Sequence, residues 1–229
     1  MKLIGSALVL TFFLLSQGTA RAANTAYPKM APISQYLLPR DAEIALARSA
    51  APESISRNAE VLILAKDGFE EAVKGSNGFV CLVARSWSAD YADPGFWDPR
   101  LHAPICYNPL AAKSQVPATI ERTRVALAGG SQAQMAAAIK AAIASGELPA
   151  AEYGSMAYML SRQAYLNYRV GPWRPHLMFF VPETDPKSWG ASLPASPILG
   201  IENPDERSTV FLIPLSRWSD GTPSVSRNN

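Results

Sequence analysis

The alternation of apolar and polar stretches predicts strands near both ends of the chain and helices between them. An apolar run at 61–64 is followed by Asp67-Gly68 and then by a second run at 69–74. Asp-Gly between two such runs is the preferred filling of a two-residue type I′ hairpin turn. A second turn leads into the apolar run 79–83. Residues 59–85 are therefore predicted to form a three-stranded antiparallel meander.

Helical periodicity replaces this pattern after the second cysteine. Apolar residues recur at helical spacing between 116 and 127, and the glycine pair at 129–130 ends this first helix. A second helix is predicted directly after it, because Ser131 and Gln134 form a capping box and Gly146 can end the helix. We expect these two main helices to cover one face of a sheet.

Strand-like runs return in the last third of the chain, at 155–160, 176–181, 197–201 and 209–214. Strands, then helices, then strands again, without βαβ alternation, favour an α+β fold over a doubly wound sheet. We therefore predict one α+β domain at 39–217. Its antiparallel sheet would combine the N-terminal meander with the C-terminal strands.

The first residues of the chain have the features of a secretory signal peptide, which we assign to residues 1–22. Lys2 provides a basic start, residues 3–15 are mostly apolar, and Ala20-Arg21-Ala22 is a small-x-small cleavage signature. The apolar run is shorter than the ~18 residues of a spanning helix. We therefore expect an exported protein, periplasmic or secreted, with no stable membrane span after cleavage. An uncleaved N-terminal anchor is the alternative.

The segments at the two ends of the mature chain show little periodicity. Residues 23–38 contain two prolines and few regularly spaced apolar positions, which predicts an extended leader. A short helix is expected next, with Asp41 as its N-cap and Pro52 after its end. Residues 218–229 are polar and are predicted to form a loose C-terminal tail.

Composition and charge exclude two classes of protein. The chain is 48% hydrophobic and 17% charged, which excludes an intrinsically disordered protein. Its formal net charge is +2. Loss of residues 1–22 removes Lys2 and Arg21 but no acidic residue, so the mature chain has a formal net charge of zero. A neutral chain without a run of basic residues lacks the charge pattern of a nucleic-acid-binding protein.

Cys81 and Cys106 are the only cysteines in the sequence. In an oxidising compartment, two cysteines more often form a disulfide than a redox or metal site. Export therefore favours a Cys81–Cys106 disulfide. Two buried free thiols without a chemical role are the alternative.

Three stretches of the sequence resemble those of a group of hypothetical proteins exported by bacteria. They read KGSNGFVCLV at 74–83, APICYNP at 103–109 and HLMFF at 176–180. The likeness covers residues 38–222. It implies an exported bacterial protein with a single domain, and it implies no activity, cofactor or catalytic residue.

The chain lacks the motifs of several enzyme classes. It contains no G-x-S-x-G, H-E-x-x-H, G-x-x-x-x-G-K or G-x-G-x-x-G sequence. Its two histidines, His102 and His176, are too few for a three-histidine zinc site. A site of two histidines and one carboxylate is formally possible, but nothing in the spacing demands it. We predict no metal site and no cofactor.

Two irregular stretches each combine aromatic residues, arginine, proline and one histidine. The first contains Trp97 and Arg100, and the second contains Trp173 and Arg174. Long irregular loops in a compact domain are often functional. Aromatic faces beside arginine suit a ligand with an apolar face and polar edges. We therefore predict that these four residues contact a small polar or saccharide-like ligand. The alternative is that the rings fill gaps beneath the loops.

These features lead to three hypotheses of function. The first is an envelope or periplasmic protein that binds such a ligand between the two loops. The second is a hydrolase or transferase acting on cell-envelope material, with His176 as general acid or base and Glu152, Tyr158 or Ser161 beside it. A packed structural histidine is the alternative for His176. The third hypothesis is a structural or partner-binding protein. The oligomeric state does not follow from the sequence.

Overall fold

A computed structural model describes residues 27–166 and 174–224. The predicted signal peptide and Trp173 lie outside the described residues. The helices are α1 (Arg40–Arg48), α2 (Glu53–Ser56), α3 (Pro109–Leu127) and α4 (Gln132–Ser145). The strands are β1 (Glu60–Ala65), β2 (Gly68–Val73), β3 (Val80–Ala84), β4 (Ala103–Tyr107), β5 (Ser155–Met159), β6 (His176–Pro182), β7 (Leu199–Asn203) and β8 (Ser208–Pro214).

One sheet organises the described part of the chain. Its strand order is β2-β1-β3-β4-β5-β6-β8-β7. Every neighbouring pair is antiparallel except β1 and β3, which are parallel. Helices and a mostly antiparallel sheet confirm the predicted α+β class.

The predicted three-stranded meander is wrong in its connectivity. β1 and β2 form a hairpin, but β3 lies against the other edge of β1 and runs parallel to it, with Glu60 opposite Val80. The strand β1 is interior because its residues 61–64 are buried on both faces, whereas β2 exposes Glu70 and Glu71 and forms the sheet edge. The buried strand β1 thus lies between the polar edge strand β2 and the buried strand β3.

The crossing from β2 to β3 depends on Gly75. The chain turns around the start of β1, where the Ser76 amide donates to the Asn58 carbonyl and the Glu60 amide donates to the Phe79 carbonyl. A Cβ atom on Gly75 would lie 2.2 Å from the Glu60 backbone nitrogen. Only a residue without a side chain allows this approach.

The hairpin turn between β1 and β2 also differs from the prediction. Its two loop residues are Lys66 and Asp67, and neither has a positive φ angle. A type I′ turn requires positive φ at both central residues. The positive φ lies instead at Gly68, the first residue of β2, at 133°.

The central strand β4 lies where the sequence pattern predicted no strand. All five of its residues are buried, so no alternation of polar and apolar positions marks it. Pro104 lies inside the strand, opposite Val83 of β3. Proline normally argues against a central strand, because it has no amide to donate.

The ends of the two main helices follow their sequence signals. Ser131 and Gln134 form the reciprocal capping box of α4, and Gly146 ends that helix with a left-handed φ of 77°. The short helix α1 is present but begins after Pro39, and no side chain caps it. Asp41, the predicted N-cap, lies in its first turn, where a carboxylate favours the helix dipole.

Both faces of the sheet carry a helix. Helix α3 packs on the face that includes Leu82 and Ile105, and α1 packs through Ala47 on the opposite face with Val83. Helix α4 packs on α3 and on the 3-10 helix Pro204–Glu206. Two coverings are needed because successive residues of β3 are apolar and point to opposite faces.

Segments expected to be extended or loose are bonded to the domain. Tyr36, in the predicted leader, is fully buried and donates from its hydroxyl to the Trp97 carbonyl at 2.8 Å. In the predicted tail, the Ser219 amide donates to the Leu160 carbonyl at 3.0 Å. Tyr36 and Ser219 therefore both make contacts with the domain.

Arg85 and Glu43 form an ion pair in the interior. The two side chains are at most 1% exposed, and Arg85 Nη2 lies 2.8 Å from Glu43 Oε1. The same carboxylate oxygen accepts from the Leu64 amide, and Arg85 Nε donates to the Tyr36 carbonyl at 2.9 Å. Burial lowers the pKa of Arg85, and Glu43 counteracts this effect.

The predicted Cys81–Cys106 disulfide is confirmed. The two cysteines lie directly opposite each other on β3 and β4. The bond therefore fixes the pairing of the two central strands on the face that α1 covers.

Replacing Arg85 with methionine is expected to lower the free energy of unfolding by about 3–5 kcal/mol, because the Glu43 carboxylate stays buried without its partner. Urea denaturation measures this change. Arg124→Met is the control, because its exposed side chain pairs with Glu121 at the surface and should change stability little. Equal losses in the two variants would contradict a special contribution from the buried pair.

Replacing both cysteines with serine is expected to lower the free energy of unfolding by about 3.5 kcal/mol, the chain-entropy value for the 25-residue separation. Denaturation of the wild-type protein with and without reductant gives the same comparison without mutation. The double-serine variant should not respond to the reductant. A wild-type protein that is equally stable in both conditions would overturn this expectation.

Candidate functional site

A cavity of about 1040 Å³ lies between helix α3 and one face of the sheet. Most of its floor comes from five neighbouring strands, β4, β5, β6, β8 and β7, and β3 adds Ala84. The residues that the five strands contribute are Ala103, Ile105, Tyr107, Met159, His176, Met178, Phe180, Leu199, Ile201, Asn203, Val210, Leu212 and Pro214. The floor is thus mainly apolar.

The alternation of strand residues explains why this face forms the floor. Alternate residues of β6, from His176 through Met178 to Phe180, point into the cavity. The residues between them point to the opposite face. There the 3-10 helix Pro186–Trp189 covers the sheet, and the Trp189 ring stacks on the Phe211 ring at 4.2 Å.

In the C-terminal half of the sheet, one face is therefore covered by the 3-10 helix and the other face lines the cavity. Helix α3 packs mainly on β2 to β5, and β6, β8 and β7 extend beyond it. On the edge strand β7, Leu199 is 53% exposed and Ile201 is 48% exposed. Adjacent exposed apolar side chains of this kind are typical of a binding surface.

One end of the cavity contains a neutralised arginine. Arg122 of α3 bonds through Nη2 to Glu206 Oε1 at 2.5 Å, and these side chains are 8% and 11% exposed. Arg122 Nη1 donates to the carbonyls of Trp87 and Ala89, and the guanidinium lies over the Tyr91 ring at 4.4 Å. The charge and the donors of Arg122 are thus satisfied within the protein.

Two tyrosines near this end stay neutral at ordinary pH. Burial raises the pKa of Tyr107 to about 12, and a hydrogen bond with the Thr119 side chain only partly offsets it. Burial also raises the pKa of Tyr91 to about 12, although Arg122 acts in the other direction. Neither phenol can serve as a general base near neutral pH.

The opposite end of the cavity contains His176 and Arg174. His176 is 8% exposed, and its Nδ1 lies 2.9 Å from the Arg174 carbonyl oxygen. Burial lowers the pKa of His176, so the neutral imidazole is favoured at pH 7. The Arg174 side chain is exposed, and its guanidinium has no hydrogen-bond or ion-pair partner among the described residues.

The neighbours predicted for a catalytic His176 lie elsewhere or have other partners. The Ser161 hydroxyl is 2.6 Å from the Ser49 hydroxyl. Tyr158 packs against Phe79 on the opposite face of the sheet. Glu152 precedes β5, whereas His176 pairs with Met159 at the other end of that strand. Tyr158 and Glu152 therefore lie away from the His176 side chain.

The first aromatic stretch does not present its tryptophan to a ligand. Trp97 is 4% exposed and packs edge-on against Phe96, with ring centroids 4.7 Å apart. Arg100 pairs with Asp98 at 2.7 Å. Neither Trp97 nor Arg100 lines the cavity. Of the four residues predicted to bind a ligand, the structure places Arg174 in the cavity wall, and Trp173 lies outside the described residues.

The sequence pattern missed most of the cavity floor. Met178 and Leu212 lie in runs whose residues are apolar on both faces, so alternation does not distinguish the covered face from the open one. Arg122 was not predicted to line a cavity either, because a single arginine in a helix usually lies in solvent. Its pairing with Glu206 joins residues 84 positions apart.

The described residues contain no group of three or more His, Cys, Asp or Glu side chains that could hold a metal ion. None of the helices in residues 27–166 and 174–224 has the length and apolar character needed to span a bilayer. No protein-family model, curated protein or solved structure matches the chain.

Protonation of His102 is expected to destabilise the fold in acid. Burial first, and then the nearby Arg85, lower the pKa of His102 to about 4. Its Nε2 is buried without a hydrogen-bond partner in the described part of the chain. The unfolded chain, with a pKa of ~6.5, binds more protons between these two values. The contribution of His102 to the free energy of unfolding is therefore fully present above pH 6.5 and is lost as the pH falls towards 4.

We expect His102 to contribute about 1–2 kcal/mol to this acid loss, after allowance for its partial exposure. Urea denaturation of the wild type and of His102→Gln at pH 7 and pH 4.5 measures the contribution. The glutamine variant should lose less stability between the two pH values. Parallel losses in the two proteins would assign the acid sensitivity to other groups.

Proposed function

We propose that this chain is an exported protein that binds a small ligand with an apolar body in the cavity between α3 and the sheet. The observation that carries the proposal is the cavity itself, at about 1040 Å³. Ligand pockets are typically about 300–1,000 Å³, mostly apolar, and contain a few polar groups that orient the ligand. The floor across β6 and β8 and the charged groups at its two ends fit this description.

An apolar body fits the cavity better than the saccharide-like ligand that the sequence favoured. Met178, Leu212 and Val210 form the middle of the floor and offer no side-chain donor or acceptor for sugar hydroxyls. Trp97, one of the two tryptophans expected to stack on a sugar, is part of the core. Apolar contact with the floor would be favoured by roughly 25 cal/mol for each Å² removed from water.

The hydrogen bond of His176 to the backbone supports a binding function rather than an enzymatic one. Its Nδ1 is hydrogen bonded to a backbone carbonyl two residues earlier, as in a histidine that stabilises local structure. The hydroxyl of Ser161, a predicted partner, is hydrogen bonded to Ser49.

Export remains part of the proposal on two grounds. The first is the basic, apolar and small-residue pattern of residues 1–22. The second is the Cys81–Cys106 disulfide, which is compatible with an oxidising compartment. A periplasmic or secreted location agrees with both features.

Titration with the neutral apolar dye N-phenyl-1-naphthylamine tests the proposal. We expect a saturable rise in dye fluorescence with the wild-type protein. Met178→Trp, which fills the middle of the floor, should weaken dye binding by about tenfold, or ~1.4 kcal/mol. The matched control is Leu177→Trp, the adjacent residue of β6, which points to the opposite face of the sheet.

Circular dichroism of both variants establishes that they fold before the affinities are compared. A wild-type protein that gives no saturable signal would overturn the proposal. So would equal weakening by the two tryptophan substitutions in folded protein, because binding would then not depend on the cavity floor.

A further inference from the structure

We infer that the ligand of this cavity is an amphiphile with an anionic head, a long-chain carboxylate, whose head pairs with Arg174 and whose chain lies over Met178 and Phe180. The inference rests on the proposed binding function and adds the chemical class and the orientation of the ligand. Three features of the cavity carry it: the distribution of charge, the length of the apolar floor and the anchoring of Arg174.

The charges at the two ends of the cavity differ in sign. At one end Arg122 is neutralised by Glu206, and Asp90 and Asp93 also line the wall there. This end is therefore net negative and disfavours an anion. At the other end, Arg174 has a guanidinium without a partner among the described residues. An anionic head is thus attracted to one end and repelled from the other.

The apolar floor between the two ends is long. Arg174 precedes β6, and the residues that alternate along that strand reach Phe180 near the acidic end. At ~3.3 Å per residue, the four steps of β6 from His176 to Phe180 span about 13 Å, and Arg174 lies two residues before them. Such a length suits an extended alkyl chain better than a compact ring. A small inorganic anion would leave this floor unused.

The backbone around Arg174 is held in place. The Arg174 carbonyl is hydrogen bonded to His176 Nδ1 at 2.9 Å, and the Pro175 carbonyl accepts from the Leu215 amide at 2.7 Å. The proline also fixes its own φ angle and restricts the residue before it. The guanidinium therefore extends from an anchored segment, and its planar fork matches a carboxylate. His176 acts here as a positioning residue.

Displacement of the neutral dye tests the head group separately from the cavity. Palmitate, its corresponding alcohol and short-chain hexanoate compete with the bound dye in slightly alkaline buffer, where the acids are ionised. Palmitate should displace the dye at about fivefold lower concentration than the alcohol, because Arg174 contributes roughly 1 kcal/mol to the carboxylate. Hexanoate should compete much more weakly than palmitate.

Arg174→Gln should lose the preference for palmitate over the alcohol, with both competitors measured against the variant's own dye affinity. Arg57→Gln is the matched control, because Arg57 is an exposed arginine outside the cavity wall and should keep that preference. Circular dichroism and saturable dye binding establish that Arg174→Gln is folded before the ratio is compared.

The outcomes separate this inference from the proposed function. If the dye binds but palmitate and the alcohol compete equally, or if Arg174→Gln keeps the preference, the inference is wrong and the binding function stands. Hexanoate competing as well as palmitate would identify a simple anion site and overturn the inference too. If the dye itself does not bind, the proposed function fails first.

Discussion

The buried ion pair between Arg85 and Glu43 is the constraint on which the arrangement of the N-terminal half depends. A charge in the interior is tolerated only when its partner and its hydrogen bonds are in place together. Arg85 follows β3, Glu43 belongs to α1, and their other partners are Tyr36 and the Leu64 amide of β1. Three regions of the sequence, around residues 36–43, 64 and 85, must therefore come together at once. This requirement explains why the residues before α1 are part of the core.

The same half of the sheet is closed on both faces, and the other half is not. Helix α1 covers the disulfide face of the central strands, and α3 covers the opposite face. Beyond α3, the sheet continues into β6, β8 and β7, where Trp189 packs on Phe211 on one face only. The cavity is the space above the other face. Its position thus follows from a sheet of eight strands that is wider than the helix packed on it.

The two arginines that line this cavity differ in their partners. Arg122 joins α3 to the loop after β3 through carbonyl contacts and to the β7–β8 connection through Glu206, so its charge stabilises the wall. The Arg174 guanidinium has no such partner in the described part of the chain. Two arginines in one cavity can therefore have different roles, because one is satisfied by the protein and the other is not.

The sequence by itself determined the elements that local chemistry controls. The capping box at Ser131, the glycine end at Gly146 and the cysteine pair were predictable, because each depends on a few residues close in sequence or on cysteine count. The crossing at Gly75, the central strand β4 and the cavity floor were decided by tertiary structure. Their residues are apolar on both faces or contact distant segments, so no local period marks them. Of the predicted ligand-binding residues, Arg174 lies in the cavity wall and Trp97 is buried, since which loop side chains face a cavity depends on packing between distant segments.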